Sequence, residues 1–250
     1  MKGKGIYFIS GIFIALVLLN LDPARSHGKD FNEAVIETIR EYPTDGTHAY
    51  DWPKKGQGKE PYDGSSEDIF YQNTRIMKGN GKGSTFCCGL TLEVFLKTAD
   101  KYLSDEIQGS SPTLVPDVQE GFMLTREIPH LKISDFDAFK GLWFCTAVNS
   151  PGPGDALTTY GLGTILTDWS QAQPGDFMQI WRHNGSGHSV IFTSWIYGPD
   201  KGIKGVKYWS TQTKTGIAYA TEYFGETGKT LDRTHTYLSR VIIPNQLRSE

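Results

Sequence analysis

The stretch TFCCGLTLEVF, from Thr85 to Phe95, combines two adjacent cysteines with an apolar pattern of helical period. The pair is conspicuous because the whole chain contains only three cysteines. Side chains on neighbouring residues diverge, so Cys87 and Cys88 are poorly placed to bond to each other. We therefore predict a helix that begins at the cysteines, with one thiol reactive and the other packed.

The two cysteines lie on different sides of the predicted helix. At about 100° per residue, Cys88 falls on a broad apolar face with Leu92, Phe95, Leu96, Ala99 and Leu103. This placement indicates a small core hydrophobe. Cys87 points away from that face. In the first helical turn, the positive end of the helix dipole and unpaired backbone N–H groups favour its thiolate and can stabilise an oxyanion. From this stretch alone, two packed or disulfide-bonded cysteines remain an equal alternative.

A nucleophilic thiol needs a base, and His188 is the histidine best placed to supply one. It opens the apolar segment HSVIF, directly after a predicted hairpin at HNGSG. A histidine at a strand start, between Gly187 and Ser189, is exposed enough to titrate, and the strand holds its side chain in a fixed orientation. The other histidines lie in loops or polar surroundings, where surface roles are more common.

Three motifs together resemble the NlpC-type cell-wall peptidases, a branch of the papain-like cysteine hydrolases. CCGLTLEVF resembles their Cys-Ser-Gly helix start, and QPGDFMQIW and GSGHSVIF are similar to their Pro-Gly-Asp and Gly-His-Val strands. The resemblance implies an α+β fold in which Cys87, at a helix N-terminus packed on an antiparallel sheet, is the nucleophile and His188 the base. Phe86 stands where the family usually has Asp. The long gap before Pro174 predicts an insertion around residues 114–172.

The resemblance also implies a third polar residue on the strand after the histidine strand, which orients the imidazole. The segment KYWSTQTKTG places Tyr208, Ser210 and Gln212 on one strand face. Gln212 is of the family's type and is long enough to reach the ring, so we predict it as the orienting residue. Ser210 remains the rival.

The N-terminal residues predict export. Lys2 and Lys4 precede an uncharged apolar run from Ile6 to Leu21, and Ala24 and Ser26 occupy small-residue cleavage positions. We predict a signal peptide over residues 1–26, a mature start near His27 and a secreted or periplasmic protein. An uncleaved membrane anchor is the alternative. Residues 27–250 are then expected to form a single domain, free of the membrane after cleavage.

Composition and motifs exclude several classes of function. A net charge of -3 and a pI near 6.1 give no basic field for nucleic acid. No HExxH or CxxC spacing occurs, so we predict neither a metal nor a cofactor. The Gly-rich segment KGNGKGS lacks the order of a phosphate-binding loop and predicts a surface loop. Nothing in the sequence indicates an oligomeric state.

The remaining segments complete the expected α+β pattern. Helices are predicted over KDFNEAVIETIREYP and over SDFDAFKGLWF, where Ser134 could cap the helix, and a short one is expected near Asp68. SPGPGD is expected to be a loop. Strands are predicted at DFMQIWR, HSVIFTSWIYG, KGVKYWSTQ, GIAYATEYF and THTYLSRVIIP.

Two functional hypotheses follow. The first is a secreted thiol hydrolase that cuts a peptide or amidase bond through an acyl-enzyme; the resemblance implies peptidoglycan stem peptides as substrate. The second is an inactive protein of the same fold that binds a cell wall or a protein. The approach of Cys87 to His188 would distinguish them. Cys145, in the apolar GLWFCTAV, could either pack or pair with Cys88 in a disulfide.

Overall fold

The computed structural model describes residues 30–52, 61–106 and 120–243. Four α-helices lie in these ranges: α1 (Phe31–Arg40), α2 (Cys87–Glu106), α3 (Phe136–Trp143) and α4 (Pro153–Thr159). None of the helices in the described ranges combines the length and hydropathy needed to cross a membrane. The predicted signal peptide, residues 1–26, and the mature start at His27 lie outside the described residues.

The strands of the described ranges form two sheets. In chain order they are β1 (Ile69–Tyr71), β2 (Thr74–Met77), β3 (Phe122–Leu124), β4 (Gly163–Leu166), β5 (Phe177–Arg182), β6 (Gly187–Tyr197), β7 (Ile203–Gln212), β8 (Gly216–Tyr223) and β9 (Leu231–Val241). The larger sheet has the order β4-β9-β5-β6-β7-β8, with every neighbouring pair antiparallel. The smaller has the order β2-β1-β3, with β1 and β3 parallel. The predicted α+β class with an antiparallel sheet is confirmed.

The predicted hairpin at HNGSG joins β5 to β6. Gly185 adopts the left-handed conformation at its tip, with φ 79°, and Asn184 Oδ1 accepts the N–H of Ser186 at 3.1 Å. The resulting register sets Ile180 opposite His188. The hairpin therefore fixes where His188 sits along the sheet.

The six-stranded sheet is apolar on both faces. On the helix side, Phe177 and Ile191 pack into the main core with α1 to α4. Their sequence neighbours Met178 and Val190 belong to a second core on the other face. Burial on both faces explains why HSVIFTSWI reads as a nearly continuous apolar run rather than a strict alternation.

Helix α2 is the central helix of the main core. It packs against α1, α3, β3 and the strands β6 and β7. The predicted Cys88 face is buried, and Leu90 and Val94 on the opposite side are also fully buried. A helix covered on both sides carries apolar residues all round. This position holds the start of α2 rigidly against the sheet.

The turn QPGD before β5 ties three elements together. The buried carboxylate of Asp176 accepts hydrogen bonds from Asn32 of α1 at 2.8 Å and from Arg240 of β9 at 2.9 and 2.8 Å. Gly175 has φ 96° and lies against the backbone of Asn32, which leaves no room for a side chain. The Pro-Gly-Asp motif thus has an architectural role: it fixes the start of β5.

Three local predictions are wrong. The residues after Asp68 form β1 rather than a short helix, because they pair with β2 and with the distant β3. SPGPGD runs from a turn into α4 rather than staying a loop, and Pro153 takes the first helical position, which tolerates its missing N–H. Ser134 does not cap α3; its hydroxyl contacts Asp135 instead.

The predicted insertion around residues 114–172 is described from residue 120 onward. This part contains β3, α3, α4 and β4. α3 packs on α2, and α4 packs on α3, β4, β5 and β9. Phe139 and Trp143 of α3 make ring contacts with Phe95 of α2 at centroid distances of 5.8 and 5.3 Å. The segment therefore shares the main core and forms one flank of the cleft described below.

Candidate active site

Cys87 is the first residue of α2, as predicted. The preceding Phe86 accepts the first helical hydrogen bond, from Leu90 N–H at 2.9 Å, so the N–H groups of Cys87, Cys88 and Gly89 precede the helical ladder. The loop at Asp63 crosses this first turn, and a side chain at position 89 would clash with the Asp63 carbonyl. The glycine after the cysteine pair is thus required by a close backbone approach.

His188, the second residue of β6, lies beside the start of α2. It is 8% exposed, which is less than its position at a strand start suggested. The side chain of His188 is in hydrogen-bond contact with the thiol of Cys87, and the backbone of Ser189 also hydrogen-bonds that sulfur. The structure therefore brings together the two residues that the sequence singled out, although about a hundred residues separate them along the chain.

The two adjacent cysteines have opposite protonation preferences. A hydrogen bond from Cys88, reinforced by the hydrogen bond and charge of His188, holds the pKa of the Cys87 thiol well below its usual value. Burial raises the pKa of Cys88 well above the usual value, and the neighbouring Cys87 raises it further. Cys88 therefore keeps its proton and donates it towards the Cys87 sulfur. The buried Cys88 therefore supports the thiolate of the half-buried Cys87.

Gln212, at the end of β7, reaches the imidazole. Its Nε2 lies 3.3 Å from Nε2 of His188, so Nδ1 is the ring nitrogen left for Cys87. Rotation of the carboxamide by 180° exchanges its oxygen and nitrogen, so Gln212 can meet either a protonated or a bare Nε2. Ser210 is fully buried and donates to the carbonyl of Ser189 at 2.8 Å. Of the two rivals, only Gln212 makes a hydrogen-bond contact with the His188 ring.

A polar network lies behind the imidazole. The ring of Tyr208 meets His188 edge-on at a centroid distance of 5.6 Å, and its hydroxyl donates to Glu222 at 2.7 Å. Arg182 closes the network with two hydrogen bonds to the same carboxylate, at 2.6 and 2.5 Å. Burial, followed by the charge of Glu222, raises the pKa of Tyr208. Gln212 also hydrogen-bonds the Tyr208 hydroxyl. The network therefore restrains Tyr208 and Gln212, the two side chains that contact the His188 ring.

A second set of polar contacts docks α2 onto β6. The hydroxyls of Thr91 and Ser189 lie 2.8 Å apart, and the indole N–H of Trp143 donates to Thr91 at 3.1 Å. All three side chains are buried. Thr91 lies one helical turn after Cys87, and Ser189 is the residue after His188. These contacts carry no signal in the sequence, because Thr91 has the pattern of an ordinary helical position. They fix the distance between nucleophile and base.

The candidate site opens into a cleft of about 310 Å³. Four Tyr, Trp or Phe side chains line it among the described residues, and Gln179 and the three cysteines of the chain also contribute. The described residues that line it are Tyr50, Trp52, Cys87, Cys88, Phe144, Cys145, Gln179, Trp181, Gly187, His188 and Ser189. No Asp, Glu, Lys or Arg occurs among these described lining residues. A cleft of this size and character fits a small, largely apolar group.

The three cysteines all lie within the described residues, and all are free thiols. The alternative of a Cys88–Cys145 disulfide is therefore not realised. Cys145 is the second residue after the end of α3, with φ 66°, and it lines the same cleft. Burial raises the pKa of Cys145 to about 11. Of the three thiols, only Cys87 has an environment that favours ionisation.

Other candidate features lie away from this cleft. The histidines at positions 48, 130, 183 and 235 do not line it, and His27 is outside the described residues. A larger depression of about 840 Å³ runs past the KGNGKGS loop, and the described residues of its walls mix acidic and basic side chains without a thiol or histidine. Within the described ranges, no cluster of three His, Cys, Asp or Glu residues has the spacing of a metal site.

Comparison with known proteins adds no identification. No protein-family model, no curated protein and no solved structure matches the chain.

Proposed function

We propose that this chain is a secreted cysteine hydrolase of papain-like architecture that cleaves an amide bond through an acyl-enzyme. The observation that carries the proposal is the contact between Cys87 and His188 at the start of α2, together with the depressed pKa of the Cys87 thiol. A thiolate at a helix start, next to a histidine and in a cleft, is the arrangement that nucleophilic catalysis by cysteine requires.

The proposed reaction has two stages. The Cys87 thiolate attacks the amide carbonyl and forms a carbon–sulfur bond, while backbone N–H groups at the start of α2, beginning with that of Cys87, receive the oxyanion. His188 gives its proton to the departing amine as the carbon–nitrogen bond breaks. A water molecule then gives a proton to His188 and attacks the thioester. Collapse of that intermediate releases the acid and regenerates the thiolate and the protonated imidazole.

In this proposal Gln212 is a positioning residue. When its carboxamide oxygen faces His188, it accepts the proton of Nε2 and holds Nδ1 towards Cys87. Because Gln is neutral, it orients the ring without the charge stabilisation that an aspartate would supply. The Gln212 carboxamide is in turn restrained by its hydrogen bond to Tyr208, which Glu222 and Arg182 hold in place.

The proposed substrates are peptidoglycan stem peptides. They follow from the resemblance of the three motifs to the NlpC-type peptidases and are the first substrates to test. A catalytically inactive fold that binds cell wall or protein is the alternative. It differs from the hydrolase in one consequence, namely that no bond is cut.

The experiment is to incubate the purified protein with peptidoglycan fragments and to identify the products by mass. Cys87→Ala and His188→Ala should each abolish product formation while the protein stays folded by circular dichroism. His183→Ala is the matched control, because His183 lies on the same hairpin but bonds Gly225 outside the cleft. Activity retained in either active-site variant contradicts the proposal. Fragments that bind the wild type but are recovered uncut favour the binding alternative.

A further inference from the structure

Gln179 of β5 is a buried polar side chain whose oxygen has no partner. The residue is 3% exposed and forms part of the cleft wall next to Cys87 and His188. Its Nε2 donates to the Ile180 carbonyl at 3.4 Å, whereas its Oε1 has no hydrogen-bond partner among the described residues. A buried acceptor without a donor is destabilising, and such groups are rare in folded proteins.

The orientation of this carboxamide follows from its single contact. A carbonyl oxygen only accepts, so the group that faces Ile180 is the –NH2, and Oε1 is the atom left without a partner. It lies near the Cys145 thiol. A methyl group placed on Gly152 would lie 2.8 Å from the Cys145 sulfur and 3.2 Å from Gln179 Oε1, so both atoms border the same small space.

The surroundings of Oε1 select against charge. Tyr50, Trp52, Phe144 and Trp181 supply aromatic walls, and the described lining residues include no Asp, Glu, Lys or Arg. A carboxylate that entered this space would lose hydration and would meet another acceptor instead of a donor. A neutral group that carries an N–H would satisfy Oε1 and bury its apolar part against the aromatic rings.

We propose that Gln179 Oε1 is the specificity-determining acceptor of the cleft and that it binds an uncharged hydrogen-bond donor, a carboxamide, on the substrate group next to the scissile bond. The inference rests on the proposed function, because it names the ligand class of the same cleft. In the free protein Oε1 is buried and has no donor among the described residues. A carboxamide N–H that reaches Oε1 supplies the missing hydrogen bond.

The test uses reagents that alkylate Cys87 and differ only in the tail. Iodoacetyl-β-alaninamide carries a carboxamide, and iodoacetyl-β-alanine carries a carboxylate of the same shape. Second-order rate constants for labelling of Cys87 are measured for both reagents at about pH 6 and compared with those for free glutathione. The preference is the rate constant for the carboxamide reagent divided by that for the carboxylate reagent. We expect this ratio to be about tenfold higher for wild-type Cys87 than for glutathione, the size expected for one hydrogen bond to a buried acceptor.

Gln179→Leu removes the acceptor at similar volume, and Gln179→Met is the second variant if the first does not fold. Either variant should lose the carboxamide preference. Its melting temperature should stay equal to that of the wild type or rise, since an unpartnered buried oxygen has been removed. Equal preference in variant and wild type, or a fall of several degrees in melting temperature, overturns the inference.

The outcomes separate this inference from the proposed function. If Cys87 is not labelled at about pH 6 by either reagent, the reactive thiol itself is refuted, and with it both proposals. If Cys87 reacts readily but with the same tail preference as glutathione, only the role of Gln179 is refuted.

Discussion

The carboxamide nitrogen of Gln212 lies 3.3 Å from Nε2 of His188, although 24 residues separate the two along the chain. The contact arises because β6 and β7 are antiparallel neighbours and His188 is near the start of one while Gln212 ends the other. Ser210, two residues earlier, donates to the Ser189 carbonyl instead. One strand thus supplies both a residue that touches the imidazole and one that holds the backbone beside it.

Gln212→Ala should lower kcat by about tenfold to a hundredfold, the usual effect of a misplaced catalytic group, and should leave KM nearly unchanged. Ser210→Ala should keep kcat near that of the wild type and lose about 1 kcal/mol of stability, because one buried hydrogen bond is removed. Steady-state kinetics and urea unfolding measure the two effects. Full activity in Gln212→Ala together with inactivity in Ser210→Ala would reverse the assignment.

Iodoacetamide at about pH 6 should label Cys87 alone. The thiolate is the reacting form, and a pKa held below the ordinary ~8.5 keeps it populated on acidification. The pKa of about 11 for Cys145 and the raised pKa of Cys88 keep those thiols protonated. Peptide mass mapping locates the label, and denatured protein, which should react at all three cysteines at alkaline pH, is the control. Preferential labelling of Cys145 or Cys88 would show that Cys87 is structural.

Asp176→Ala should lower the free energy of unfolding by about 3–5 kcal/mol, because it leaves the Arg240 guanidinium without its carboxylate in a largely buried position. Urea unfolding measures the change. The matched control is Asp200→Ala, which removes the exposed partner of Lys204 and should alter stability very little. Similar losses in the two variants would contradict the structural role given to the Pro-Gly-Asp turn.

Gly89→Ala should cost about 1–3 kcal/mol and slow alkylation of Cys87, since a methyl group there clashes with the Asp63 carbonyl and displaces the first turn of α2. Gly141→Ala in α3 is the control. Apart from the backbone of its own helix, the methyl group added at position 141 meets no described atom within 4 Å, so the substitution should raise helix stability by up to about 1 kcal/mol. Thermal unfolding and the alkylation rate are the measurements. An unchanged Gly89→Ala protein would refute the close approach.

Predictions from sequence succeeded where the signal was local and regular. The apolar periods of α1, α2 and α3 and the hairpin between β5 and β6 were recognisable because each depends on neighbouring residues. The short helix expected near Asp68 failed because β1 has only three residues and owes its conformation to pairing with β3, across about fifty residues. Propensity in so short a segment is weaker than a tertiary contact.

By itself, the sequence determined that a cysteine begins a helix, that a histidine begins a strand, and that these two follow in that order. Only the tertiary structure decided that Thr91 and Ser189 lock the helix to the strand, that Cys88 donates to Cys87, and that Gln179 leaves an unpartnered oxygen in the cleft. The physical reason is the range of the interactions. A helical period or a turn is set within a few residues, whereas these contacts depend on the exact approach of packed elements. The two adjacent cysteines show the same difference between sequence and tertiary structure. Their pKa values shift in opposite directions only because α2 places Cys87 beside His188 and Cys88 in the core.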